Sequence, residues 1–149
     1  MPADRSILVR LHSLGDVVLA QPAAAHLASK GVVTFVTRPE YLPLVERFGP
    51  GITGYGIGRE KGTGALRRIL RSAGSASVYD LQGSVSTILA SFPSRPPRFR
   101  TDRRRRRAVL GATRDAMPSR AEEFLAVAGG RPPADPRLER RSGPDPARR

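Results

Sequence analysis

Few side chains in this sequence are equipped for covalent chemistry. Cysteine is absent, which removes thiolate nucleophiles, disulfides and zinc–sulfur sites. The two histidines, His12 and His26, are too few for a histidine-rich metal site. His12 falls in a turn and His26 on an apolar helical face, where packing explains it. Carboxylate chemistry remains, and Asp16 is the best placed. It closes the tight polar turn His12-Ser13-Leu14-Gly15-Asp16, shaped by Ser13 and Gly15. Two readings of Asp16 compete. In one it caps free N–H groups at a helix start. In the other it faces a cleft as a general base. Donors that cap a carboxylate also hold it ionised and weaken it as a base, so the two readings pull apart.

The elements around the turn decide where Asp16 points. Before it runs Ile7-Leu8-Val9, continued by Leu11, an aliphatic stretch without alternation, as in a strand buried on both faces. After it, Leu19, Ala23, His26 and Leu27 share one face of a predicted helix. Strand, glycine-bearing turn and helix open a doubly wound domain, whose ligands lie beyond the carboxyl ends of the strands. A second strand is predicted over Val32 to Val36. A helix carrying Tyr41, Leu44, Val45 and Phe48 follows it, then a weak strand from Ile52 to Ile57 containing glycines. A short helix with Leu66, Ile69 and Leu70 leads to a fourth strand, Ser77 to Leu81, with Asp80 inside it. Val85, Ile88, Leu89 and Phe92 then line a further helix. Alternation of this kind predicts a parallel sheet with right-handed crossovers.

The character changes at Pro93. Arg98-Phe99-Arg100 reads as a short edge strand, and Arg103 to Arg107 is an unbroken basic run. A last amphipathic helix with Ala121, Phe124, Leu125 and Ala128 is expected to be capped by Ser119, with Glu122 at its acidic start. Residues 1–130 are therefore read as one α/β domain and residues 131–149 as a Pro/Arg-rich linker or disordered tail. The net charge of +13, nearly all of it arginine, favours anionic partners: phosphates, nucleic acid or an anionic membrane face. Abundant Arg, Ala, Gly and Pro also fit a GC-rich coding bias. The first residues lack the layout of a signal peptide and no apolar run approaches membrane-spanning length, so a cytoplasmic location is expected.

The stretch Ile7 to Leu27, ILVRLHSLGDVVLAQPAAAHL, resembles the opening of the family 9 glycosyltransferases, the heptosyltransferases. Ser13, Gly15, Asp16 and Pro22 stand at the positions of that family's strand, Ser-x-Gly-Asp turn and proline-containing helix. Val78 to Ser84, VYDLQGS, is similar to its second signature, a strand running into Asp-x-Gln-Gly, and Thr34 to Tyr41 looks like its second strand and loop. The resemblance extends to about Leu125. It implies the N-terminal, acceptor-side half of a GT-B fold, a Rossmann-like parallel sheet flanked by helices. It implies an inverting, metal-independent transfer of a sugar from a nucleotide-sugar such as ADP-heptose to a lipopolysaccharide-core-type acceptor. Asp16 would be the catalytic base, and Ser13, Gly15, Arg38, Gln82 and Gly83 would contact the acceptor.

No cofactor is implied for this half. The donor would occupy a second domain without counterpart in the chain, so the half is expected to be inactive alone. The partners implied are a glycan or glycolipid acceptor, a separate chain carrying the donor domain, and an anionic membrane met peripherally at its inner face. Arg38, Arg59 and Lys61, in loops at the carboxyl edge, are suited to phosphates or acidic sugars, or are solvated surface charge. The alternative is a basic anion- or nucleic-acid-binding α/β domain without catalysis. Against nucleic acid, the three Tyr and five Phe are scattered and no recognition signature occurs. A dinucleotide-binding reading ranks last, because the first turn is HSLGD and not G-x-G-x-x-G.

Overall fold

The first apolar run forms β1, Asp4–Val9, and its side chains alternate between two cores. Leu8 is buried with Val33 and Phe35 on one face, while Ile7 and Val9 are buried with Val36 and Val78 on the other. A strand buried on both faces belongs in the middle of a sheet. Accordingly, β1 pairs in parallel with β2, Gly31–Thr37, on one side and with β4, Ser77–Asp80, on the other. β3, Ile52–Gly56, extends the sheet beyond β2, and β5, Arg98–Arg100, extends it beyond β4, again in parallel. The order β3-β2-β1-β4-β5 reverses its direction of winding between β1 and β4, which opens a crevice at the strand tips there. The fold is thus the Rossmann-like parallel sheet flanked by helices that the sequence predicts. The structure is a computed structural model and describes residues 4–82, 84, 87, 98–100 and 119–129.

The Leu8 face is covered by α1, Leu14–Leu19, α2, Gln21–Ala28, and α3, Leu42–Val45, through Val17, Ala23, Ala24, Leu27 and Val45. The Ile7 face is covered by α4, Gly62–Ser72, through Leu66 and Leu70. A last helix, α5, Arg120–Val127, returns to the Leu8 face and inserts Phe124. It starts at a complete capping box, Ser119 with Glu122, and stops at Gly129, whose φ of 77° suits glycine.

Two predicted elements come out differently. The helix expected to run through Leu19 and Ala23 is two helices meeting at Ala20. Pro22 lies in the first turn of α2, where its missing N–H cannot bond the carbonyl four residues back. The break leaves Leu19 exposed and gives its core place to Val17. The helix expected over Tyr41 to Phe48 is a 3-10 turn, Pro39–Tyr41, running into the four-residue α3, although Tyr41, Leu44, Val45 and Phe48 all reach the core. β3 keeps its glycines for packing. A Cβ on Gly54 would lie 2.8 Å from the Leu42 side chain, and one on Gly56 2.9 Å from it. Glycine lets α3 lie directly on the strand. The helix expected on Val85, Ile88, Leu89 and Phe92, the Arg103 to Arg107 run and the tail 131–149 fall outside the described residues. No described helix is long and apolar enough to cross a membrane.

Candidate active site

The site grows from the tip of β1. The ladder continues past the strand, with Arg10 N donating to Val36 O and Leu81 N to Val9 O, both at 3.0 Å. Alternation puts the Arg10 side chain on the Leu8 face, beneath α1 and α5, where the residue is 6% exposed. A buried guanidinium has to be paired. Its Nη1 donates to Leu81 O at 2.8 Å, its Nε to His12 O at 3.2 Å, and its Nη2 to Asp16 Oδ2. The Phe124 ring centroid lies 5.5 Å from the guanidinium carbon, a cation–π distance. Burial pulls the Arg10 pKa below its ordinary value, against the opposing pull of the Asp16 carboxylate. Arginine remains charged under such conditions.

Asp16 sits on the first turn of α1 at the mouth of the β1/β4 crevice, with its side chain 20% exposed. The carboxylate is neither sealed in the core nor on the opposite rim. It is engaged by Arg10 and not by the free N–H groups of α1, and Ser13 at the N-cap makes no side-chain cap bond either. The second oxygen, Oδ1, has no hydrogen-bond partner among the described residues.

The turn is strained at Ser13 and not at its glycine. Ser13 has φ 66° and ψ 114°, outside the regions open to a side-chain-bearing residue. Gly15 lies inside α1, and a Cβ added to it would meet nothing within 4 Å. Glycine in a helix costs about 0.5–1 kcal/mol relative to alanine, and no neighbouring protein group requires it here. Gly15→Ala is therefore expected to raise stability by a few tenths to about 1 kcal/mol in denaturant unfolding. If the open space above it receives a ligand, the same variant weakens that ligand's binding by about tenfold or more. Calorimetry on the two proteins checks both signs.

Gln82 ties β4 to the same turn. Its Oε1 accepts from Leu11 N at 3.1 Å and His12 N at 3.2 Å, which leaves the Nε2 amide as its donor. Its own N–H donates to Asp80 Oδ1 at 3.0 Å, and Thr87 Oγ1 donates to Asp80 Oδ2 at 2.9 Å. Asp80 is buried and serves the scaffold. Gly83 lies outside the described residues.

Arg38 stands at the tip of β2, with Nη1 donating to Ile57 O at 3.0 Å. Its Nε and the neighbouring Thr37 Oγ1 are buried with no partner among the described residues. Exposed Arg59 pairs with Glu40 at 3.5 Å, a surface contact worth about 0–1 kcal/mol. Lys61 is exposed on the same 3-10 turn as Arg59. His26 is half-buried on α2, with Nε2 lacking a partner among the described residues.

His12 feels these cations. Its pKa is pushed below the ordinary 6.5, first by partial burial and then by Arg38, Arg59 and Arg10, with Glu40 opposing. A value lower in the folded than in the unfolded chain means that the fold favours neutral imidazole. The resulting stability is complete above about pH 6.5 and is lost as pH falls through the folded value. Unfolding free energies measured from about pH 7 down to pH 5 are expected to decline less steeply in His12→Gln than in the parent protein.

Ser13, Gly15, Asp16 and Gln82 are thus brought together at the β1/β4 crevice, and Arg38 flanks it from β2. Arg10 is the site residue that sequence reasoning missed. Its sign is a single charge inside the apolar run Ile7 to Leu11. The arrangement can bind a hydroxylated ligand through the Gln82 amide, attract an anion through Arg38 and Arg59, and accept a proton on Asp16 Oδ1.

Fold and site together define an α/β, Rossmann-like domain with a carboxylate at the strand tips. The crystal structure of a glycosyl transferase family 9 protein from Veillonella parvula DSM 2008 is similar, with a TM-score of 0.58 at 19% identity over 87% of this chain. That likeness is one of fold. The present chain spans 42% of the length of that protein. No family model matches the chain, and no curated protein matches it.

Proposed function

We propose that this chain is the acceptor-side half of an inverting, heptosyltransferase-like glycosyltransferase. Asp16 takes the proton of an acceptor hydroxyl as that oxygen attacks the anomeric carbon of a nucleotide-sugar. The bond from that carbon to the diphosphate oxygen breaks, configuration inverts, and the nucleoside diphosphate leaves with the bonding pair. Ser13, Gly15 and Gln82 line the acceptor's approach, and Arg38 meets its acidic groups. The donor, of the ADP-heptose class, is held by a second domain facing this one. The acceptor is of the lipopolysaccharide-core type, met at the inner face of an anionic membrane.

One observation carries the reading: a partly exposed carboxylate at the β1/β4 strand tips, with Oδ2 held by Arg10 and Oδ1 without a partner among the described residues. The first test uses the chain as it is. A lipopolysaccharide-core oligosaccharide is expected to shift the amide resonances of residues 12–16 and Gln82. The second adds a separately expressed family 9 donor domain with ADP-heptose and follows glycosylated product by mass. The absence of both amide shifts and product would overturn the proposal. The charge of +13 favours a second reading, an anion-binding domain without catalysis. On that reading a DNA duplex binds with steep salt dependence, and the amides of residues 12–16 stay unperturbed by oligosaccharide.

A further inference from the structure

We infer that Arg10 is a positioning residue for Asp16, and that α5 sets Arg10 in place through Phe124. This inference rests on the reading of Asp16 as the base. A buried guanidinium is expensive to desolvate, and Arg10 stands buried at the end of the central strand while Arg5, Arg47, Arg59, Arg67, Arg68 and Arg71 are exposed. What Arg10 supplies is a fork. Its planar head reaches three separate segments at once: the end of β4 through Leu81 O, the turn through His12 O, and α1 through Asp16 Oδ2. Each nitrogen has a different target, so the guanidinium cannot rotate without losing at least one bond. Among the described residues Asp16 is held in turn by one oxygen only. That restrains the carboxylate and leaves Oδ1 to face the reacting hydroxyl.

Lysine cannot do the same, being a compact charge without the planar fork. The face of Phe124 closes the remaining side of the guanidinium. Phe124 is itself fully buried and comes from a helix that contacts α1 and α2. A helix contributed from beyond β5 therefore sets the geometry at the first crossover, which explains why the chain returns to this face.

The test compares Arg10→Gln, Arg10→Lys, Arg10→Ala and Phe124→Leu in the full chain, with folding checked by near-ultraviolet circular dichroism. The first readout needs no activity. The Asp16 13Cγ resonance, assigned by its loss in Asp16→Asn, is expected to move in Arg10→Gln. It should move less in Phe124→Leu, and return toward its parent position when guanidinium is added to Arg10→Ala. The second readout is transfer with a donor domain supplied. There kcat is expected to fall by about 100-fold in Arg10→Gln, with acceptor KM changed by less than about threefold, and Arg10→Lys to recover only part of the loss. A folded Arg10→Gln with an unmoved Asp16 resonance, or with undiminished kcat, overturns the inference. If Arg10→Gln fails to fold, Arg10→Lys carries the comparison, and parental kcat in that variant overturns the need for a fork. If the parent chain shows neither oligosaccharide-induced amide shifts nor sugar transfer, the glycosyltransferase reading has failed; with or without transfer, the resonance decides the pairing by itself.

Discussion

Asp16→Asn is expected to lower kcat for sugar transfer by about 10²- to 10⁴-fold, the range a general base contributes, with little change in acceptor KM. Asparagine is nearly isosteric, and its oxygen can still accept from Arg10 Nη2, so the crevice keeps its shape. It cannot take a proton at neutral pH. The structural cost is separate and smaller. Changing a charged hydrogen-bond acceptor for a neutral one at a side chain that is 20% exposed should cost about 1–2 kcal/mol. The resulting loss of stability, read from denaturant unfolding, leaves nearly all molecules of a domain of ordinary stability folded. A loss of transfer far beyond the unfolded fraction is therefore chemical. Steady-state kinetics with the donor domain supplied decides the matter: transfer within about threefold of the parent in a folded Asp16→Asn protein removes Asp16 as the base.

The position of Asp16 was legible because local signals agreed. An aliphatic strand, a polar glycine-bearing turn and a helical pattern in immediate succession leave one arrangement for a right-handed crossover, and that arrangement places the turn at the strand tips. Gln82 was legible for the same reason, since a strand next to β1 had to end beside that turn. The use of its Oε1 was not legible, because accepting from Leu11 N and His12 N depends on the register between two strands about seventy residues apart in sequence. Arg10 was hidden by its surroundings in composition. Among 26 Lys and Arg, one more arginine reads as surface charge, and only the sheet shows that alternation turns this one inward.

Helix limits failed where a periodic pattern continued across a break. The apolar spacing of Leu19, Ala23 and Leu27 survives the interruption at Ala20, so periodicity alone joins α1 to α2, and Pro22 is the sole sign of the stop. The third strand was read correctly, though its glycines weakened the signal. As isolated residues they argue against a strand, whereas in the fold they make room for Leu42, which no local rule contains. The start of α5 was fully readable in Ser119 and Glu122, because a capping box is written within four residues. Its docking onto α1 and α2 was not.

That docking carries the second large effect. Phe124→Ala is expected to cost about 3–5 kcal/mol, as for other buried aromatic truncations. Phe124 is 0% exposed and belongs to the same buried cluster as Leu8, Val17 and Phe35. Removing its ring opens a cavity beneath the central strand and strips the aromatic face from Arg10, whose buried charge then depends on its hydrogen bonds alone. Against a total stability of about 5–15 kcal/mol for a domain, the loss is a substantial fraction. It also discriminates between two views of α5. If the helix is integral to the domain, Phe124→Ala shifts the whole unfolding transition to lower denaturant, and amides in β1 lose hydrogen-exchange protection together with those in α5. If the helix is an appendage, only α5 amides lose protection while the β1 amides keep theirs. The burial of Phe124 among residues of β1, β2 and α1 argues for the first outcome, in which the crevice and the helix that closes it melt as one unit.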